Sequence, residues 1–300
     1  MSPAEPPAGA QDIHSRRLRG VLWMVMSTFM FASMHAVVRH ISSEGLHPFE
    51  IAFFRNIFGL IVILPWFIRQ GLAPLRTKRF GTHLARASLN SVAMLAFFWA
   101  LTIAPLSEVT ALTFGAPIFA TILAAVFLRE VVGLRRWVAI FIGFAGTMVV
   151  LRPGFEAIGF GQGLTIFAAM TWAVVLLIVK SLGRTESAVT ITAYMSILIS
   201  PIALVPALFV WQWPSANLWI WLIATGVLGN LGQLLMVQAL KDAPTHVVMP
   251  LDFLKLIWVS ILVYLAFSEI PDLFTWIGGA LIFLGAAYIA ISERKRTHPN

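Results

Sequence analysis

Apolar residues fall in ten long blocks of roughly 20 residues, and polar and charged residues crowd into the short stretches between them. At about 1.5 Å of rise per residue, a helix of that length crosses a hydrocarbon core of about 30 Å. The blocks lie at 19–40, 49–68, 82–103, 106–128, 134–151, 160–181, 188–211, 217–239, 245–267 and 273–291. A segment in lipid must satisfy its own backbone hydrogen bonds, so the pattern predicts an all-α integral membrane protein with ten transmembrane helices. Residues 1–15, rich in Pro, Ala and Gly, read as a disordered cytoplasmic tail, and 293–300 as a short basic one. Arg16, Arg17 and Arg19 precede the first block as in a signal peptide. No small-residue cleavage pattern follows, and Arg39 and His40 close the block, so it is read as a retained helix.

Composition agrees: 59% of residues are hydrophobic and 11% charged, where a soluble domain carries roughly 25% charge. Lys and Arg sort by side. Arg16, Arg17, Arg19, Arg69, Arg76, Lys78, Arg79, Arg86, Arg129, Arg135, Arg136, Lys180, Arg184, Lys241, Arg294, Lys295 and Arg296, which are 17 of the 21, fall at alternate helix ends on one side. Positive charge resists translocation, which places both termini in the cytoplasm. The same bias accounts for the net charge of +8 without a nucleic-acid surface. With no cysteine in the chain, thiol chemistry is excluded.

The chain repeats itself. Shifted by 139 residues without gaps, residues 100–150 match at 15 of 51 positions, among them Ala104/Ala243, Pro105/Pro244, Phe114/Phe253, Glu130/Glu269, Trp137/Trp276 and Gly146/Gly285. Shared apolar composition alone would give on the order of five. The copies are 16–154 and 155–292, five helices each. An odd number of crossings inserts the second copy upside down, the arrangement from which alternating-access transporters are built.

Residues 100–154, ALTIAPLSEVTALTFGAPIFATILAAVFLREVVGLRRWVAIFIGFAGTMVVLRPG, resemble the EamA type of the drug/metabolite transporter superfamily: a proline in the fourth helix, a glutamate thirteen residues on, and a glycine-containing fifth helix. Pro117 and Glu130 keep that spacing, and the resemblance covers nearly the whole chain in two copies. Within the superfamily the chain is similar to YddG-like exporters of aromatic amino acids. The resemblance implies a ten-helix basket around a central cavity lined chiefly by helices 1, 3, 4, 6, 8 and 9. It also implies export of a small amphipathic metabolite, with aromatic and other hydrophobic amino acids as the expected cargo. A cationic drug, a nucleotide-sugar-like compound or an adenosyl metabolite is the alternative on the same mechanism. An intramembrane enzyme or a lipid-handling protein is the alternative of another class.

The second copy departs from this pattern at VMPLDFLKLIWVS, residues 248–260: Leu256 stands where proline is expected, and Pro250 supplies the break instead. Pro250 frees the carbonyl of His246, with Asp252 and Lys255 within a turn. A charge at a helix centre costs about 2.5–3.5 kcal/mol on insertion scales, so both should face the interior. Asp252 and Lys255 either form a polar station for a cargo's amino and carboxylate groups or pair with each other to clamp the helix. The further substrate-binding candidates are Asn90, Phe97, Thr113, Trp172, Gln233, Met249 and Trp258, with Pro117 and Pro250 as gating breaks. The amides and hydroxyl suit hydrogen bonding between helices or to cargo, and the tryptophans suit stacking on a ring. His35 and Arg39 read as structural, Arg39 snorkelling outward. Glu130 and Glu269, placed on opposite sides by the inversion, read as braces of equivalent helix ends.

No Walker loop, HExxH, Cys/His cluster or GxSxG elbow occurs, so neither ATP-driven pumping nor the common hydrolase chemistries have support, and no cofactor or metal is expected. The sequence thus implies a secondary transporter, not an enzyme, whose partners are a small-molecule substrate and the bilayer. Oligomeric state is left open.

Overall fold

The computed structural model describes residues 8–116, 118–119, 122–123, 134–151, 159–243, 248, 251–252, 254–268 and 272–297. These residues form α1 (Ala8–Ser43), α2 (Pro48–Gln70), α3 (Phe80–Ile103), α4 (Leu106–Thr113), α5 (Leu134–Leu151), α6 (Phe160–Leu182), α7 (Ala188–Leu208), α8 (Leu218–Asp242), α9 (Leu254–Phe267) and α10 (Leu273–Thr297). A 3-10 turn, Ala73–Leu75, follows α2. Helix after helix coincides with an apolar block, because in lipid the block length sets the helix length. Among the described residues six helices are long and apolar enough to cross a bilayer: Arg16–Ser43 within α1, α2, α3, Phe160–Val179 within α6, α7 and α8. Phe141–Val150, Leu254–Ala266 and Leu273–Gly285 are shorter apolar helices.

Two ends differ from expectation. α1 starts at Ala8 and takes in residues 8–15, and α10 runs to Thr297, into the expected basic tail. Ala8, Ala10 and Gln11, like Glu293, Arg294, Lys295 and Arg296, are good helix formers that extend a helix already nucleated by the membrane segment.

The repeat pairs α1 with α6, α2 with α7, α3 with α8, α4 with α9 and α5 with α10. Packing follows that pairing. The most extensive interfaces are α1 on α8 and its mate α3 on α6, α5 on α10, and α2 on both α7 and α8, so each copy packs mainly on the other. α5 and α10 meet closely: a Cβ on Gly146 would come within 2.6 Å of the Gly278 carbonyl oxygen. Only a residue without a side chain fits there.

Both members of the α4/α9 pair change their helical bonding close to matching positions. α4 ends at Thr113, where the Phe114 and Gly115 N–H groups turn back to Ala111 and Leu112. Helical bonding then resumes, with the Phe119 N–H donating to the Gly115 carbonyl. α9 begins at Leu254, the counterpart of Gly115, after a 3-10 stretch at Leu251 and Asp252. Pro117, Met249, Pro250, Glu130 and Glu269 lie outside the described residues.

Cross-repeat hydrogen bonds strap the two ends of the bundle. At one end the Thr77 hydroxyl donates to Glu186 at 2.6 Å, Arg79 to the Ser181 carbonyl at 2.9 Å, the Tyr194 hydroxyl to the Leu75 carbonyl at 2.6 Å, and the Trp23 indole to Asp242 at 3.2 Å. At the other end Gln162 donates to Glu108 at 3.0 Å, and the Gln212 N–H to Glu50 at 2.8 Å. Arg39 does snorkel to a helix end, donating to the Ala104 carbonyl at 2.7 Å, where α3 leaves its last carbonyls free.

Candidate functional site

Polar and aromatic side chains collect in the centre, between the straps. On α3, Asn90, Met94 and Phe97 share one face, spaced by four and three residues. Asn90 accepts the Trp172 indole N–H of α6 at 2.9 Å. The Trp172 ring meets the edge of Phe97 at 4.9 Å, and Phe97 meets His35 of α1 at 5.0 Å. The sequence placed Asn90 and Phe97 on one helix face and singled out Trp172 apart from them, and the fold brings all three into one cluster.

Asp252 and Lys255 do pair, at 2.9 Å, with 22% and 16% of their side chains exposed. The Lys255 ammonium also lies 5.7 Å from the Phe31 ring centre and 5.9 Å from that of Phe114. It therefore sits in a box of one carboxylate and two ring faces, a favourable place for a cation. Phe114 belongs to the break in α4, so the breaks of both repeats meet at this ammonium.

The other candidates divide. Thr113, the repeat counterpart of Asp252, donates its hydroxyl to the Thr110 carbonyl at 2.6 Å, which closes the last turn of α4. Gln233 is buried on α8, and its side-chain NH2 has no partner. Trp258 packs edge-on against Phe29 of α1 at 5.5 Å, its indole N–H buried without a partner.

Two arginines extend the site beyond the sequence-based candidates. Arg55, on α2, is 5% exposed and donates to the Asn56 side-chain oxygen at 2.9 Å and to the Met94 sulfur at 3.9 Å, while its Nε has no partner. It lies against α8 at Gly229, where a Cβ would come within 2.7 Å of its Nε. Asn230, next along α8, donates to Ser196 of α7 at 2.7 Å. Arg86 corrects an expectation: counted among the cytoplasmic charges, it is buried on α3 and donates to the Ile191 carbonyl at 3.0 Å and the Met195 sulfur at 3.6 Å. Its place within a predicted block was the signal; the partners on α7 that accept it were not visible. His35 lies within electrostatic reach of both Lys255 and Arg55, and Arg86 within reach of Arg55.

Among the described residues Glu50 is the one carboxylate in the fully buried set, and it is engaged at the strapped end by the Gln212 and His47 N–H groups. The interior thus carries Arg55, Arg86 and Lys255 against Asp252. No group of three or more His, Cys, Asp or Glu that could hold a metal occurs among the described residues.

A family model described as the EamA-like transporter family matches residues 18–152 and again residues 159–291, the two copies found by shifting the chain on itself. A riboflavin transporter of Vibrio cholerae serotype O1 is 35% identical over 290 residues, covering 95% of this chain and 97% of that one. A riboflavin transporter of Rhizobium johnstonii is 33% identical over 94% of each chain. An S-adenosylmethionine uptake transporter of Rickettsia felis is 31% identical over 93% of this chain and 94% of its own. One crystal structure superposes on 95% of this chain and 99% of its own with a TM-score of 0.63 at 17% identity, a likeness that speaks for the fold alone.

Proposed function

The chain belongs to the EamA-like transporter family, and from that premise we propose that it carries a flat heteroaromatic solute of the riboflavin class through the centre of the bundle by alternating access. The observation that carries this reading is the Asn90–Trp172–Phe97–His35 cluster: edge-on rings with one amide partner, enclosed by helices of both repeats. Such a surface suits an isoalloxazine ring, whose faces stack and whose carbonyl edge accepts hydrogen bonds. The riboflavin transporters among its relatives support the same cargo.

The breaks in α4 and α9 supply the moving part. Straps at one end open while those at the other hold, and exchange of the two conformations by the two copies exposes the same central site to either side. Energy comes from a solute or ion gradient. The location that fits is a bacterial inner membrane with both termini cytoplasmic.

The relatives move the cargo away from aromatic amino acids, since those named here are riboflavin and S-adenosylmethionine transporters. An adenosyl sulfonium is the second reading. Lys255 already rests between Phe31 and Phe114, where a cargo cation is the chemical alternative.

The test is uptake of labelled riboflavin, S-adenosylmethionine and tryptophan into liposomes holding the purified full chain. Saturable riboflavin uptake that unlabelled tryptophan does not inhibit is the expected result. Uptake of S-adenosylmethionine or tryptophan without riboflavin would replace the cargo.

A further inference from the structure

Among the described residues the Arg55 guanidinium has no carboxylate partner. Arg55 Nε and Gln233 Nε2, on side chains 5% and 8% exposed, are buried donors without partners, and Asn230 Oδ1, beside Gly229, is a buried acceptor without one. A buried donor left unsatisfied is costly, and a buried guanidinium without a carboxylate more so. Arg55 has only an amide oxygen and a thioether, a weak acceptor, to donate to. Its unpaired Nε lies at Gly229, and Gln233, with its own unpaired NH2, stands one helical turn further along α8. Gly229 lets the guanidinium approach α8 closely: a Cβ there would meet Arg55 Nε and the Met34 sulfur, each at 2.7 Å.

Resting on the reading of this interior as the cargo path, we propose that Arg55 and Gln233 form an acceptor-binding pole that takes a carboxylate or phosphate oxygen, so that the protein accepts anionic and neutral solutes and rejects cationic ones. The charges present favour this. A sulfonium would enter a region holding Arg55, Arg86 and Lys255, where the carboxylate Asp252 is already spent on Lys255 at 2.9 Å. A phosphate would find a guanidinium fork with a free N–H, which is the geometry that recognises it. The anionic oxygen has two sources: it is carried on the cargo, or it is a free inorganic anion seated beside a neutral ring.

The experiment measures riboflavin binding to the purified full chain by quenching of flavin fluorescence, with three competitors: riboflavin 5′-phosphate, S-adenosylmethionine and inorganic phosphate. In the wild type the 5′-phosphate is expected to displace riboflavin at least as well as riboflavin itself, and S-adenosylmethionine not to displace it at 100-fold excess. Arg55→Gln is expected to lose at least about tenfold in affinity for the 5′-phosphate, about 1.4 kcal/mol, while riboflavin changes less. Arg55→Lys should keep part of the preference, and Gln233→Leu, which leaves the buried charge in place, should weaken both flavins about threefold to tenfold. Inorganic phosphate that competes marks the cargo-borne source, and inorganic phosphate that tightens riboflavin binding marks the free anion. The pole is refuted when the 5′-phosphate fails against the wild type, or when its advantage survives in Arg55→Gln. If riboflavin itself does not bind, the cargo reading fails, and the pole is then judged by whether phosphate raises the melting temperature of the wild type and not of Arg55→Gln.

Discussion

Removing one partner of the Asp252–Lys255 pair should cost more than removing both. At 2.9 Å, and with roughly four-fifths of each side chain covered, the pair stands nearer the buried limit, where losing one partner costs about 3–5 kcal/mol, than the exposed limit of about 0–1 kcal/mol. Asp252→Asn leaves Lys255 its two ring faces, each worth about 0.5–1 kcal/mol, so about 2 kcal/mol is expected. Lys255→Met leaves Asp252 with no cation, and about 3 kcal/mol is expected. The double variant has no buried charge here and should lie within about 1 kcal/mol of wild type. At about 2–4 °C per kcal/mol, the single variants should melt roughly 4–8 °C and 6–12 °C lower, and the double within about 4 °C of wild type, in thermal unfolding of the detergent-purified chain. Single variants that melt with the wild type, or a double variant whose loss is the sum of theirs, would refute the coupling. The same three proteins separate the two roles the sequence left open. A stable double variant that still takes up riboflavin makes the pair a clamp, and a stable one that does not places it in the transport path.

Trp172→Phe removes the bond to Asn90, worth about 0.6 kcal/mol between membrane helices; the melting temperature should move by less than about 3 °C while the riboflavin Kd weakens about threefold. Gly229→Ala forces a Cβ to 2.7 Å from Arg55 Nε and Met34 Sδ, so overpacking of about 1–3 kcal/mol is expected. Gly163→Ala, where a Cβ meets nothing within 4 Å, should be neutral or stabilising by about 0.5–1 kcal/mol in the same melt. His47, before α2, accepts the Phe49 N–H through Nδ1 at 3.2 Å, which needs an unprotonated ring, and burial holds its pKa below the ordinary 6.5. A depressed pKa means that the stability it contributes is present above pH 6.5 and lost as pH falls below that value, at most about 1 kcal/mol for such a cap. Melting curves at pH 8 and pH 5 should show that loss, and His47→Asn, a cap that does not titrate, should flatten it.

Helix positions were legible because hydrocarbon thickness acts on each segment alone, and the repeat because duplication leaves identities at a fixed offset. The breaks were half legible. Prolines pointed to α4 and α9, while the described interruption falls at Phe114 and Gly115, where backbone bonds turn back, and α9 begins at Leu254. Asn90, Phe97 and Trp172 were found as types suited to binding. Their meeting depends on α3 packing on α6, which nothing local in either segment dictates. Arg86 was misplaced because counting charges near helix ends treats every arginine there as wet, and only the α7 backbone it reaches shows otherwise. That Arg55 has no carboxylate partner among the described residues is a property of the assembled centre, so no single segment displayed it.

The packing of each copy on the other sets a timetable for synthesis. α1 to α5 leave the ribosome first, and Arg86 must then wait for the Ile191 carbonyl and the Met195 sulfur, which lie 105 and 109 residues further along the chain. At roughly 5–20 residues per second, that is about 5–20 s in the nascent membrane, with a guanidinium whose insertion costs about 2.5–3.5 kcal/mol. Arg55 waits far less, because Asn56 and Met94 arrive within the same half. A chain halted after α5 keeps Arg86 without its acceptors, so the first copy alone carries an uncovered charge that the second copy removes.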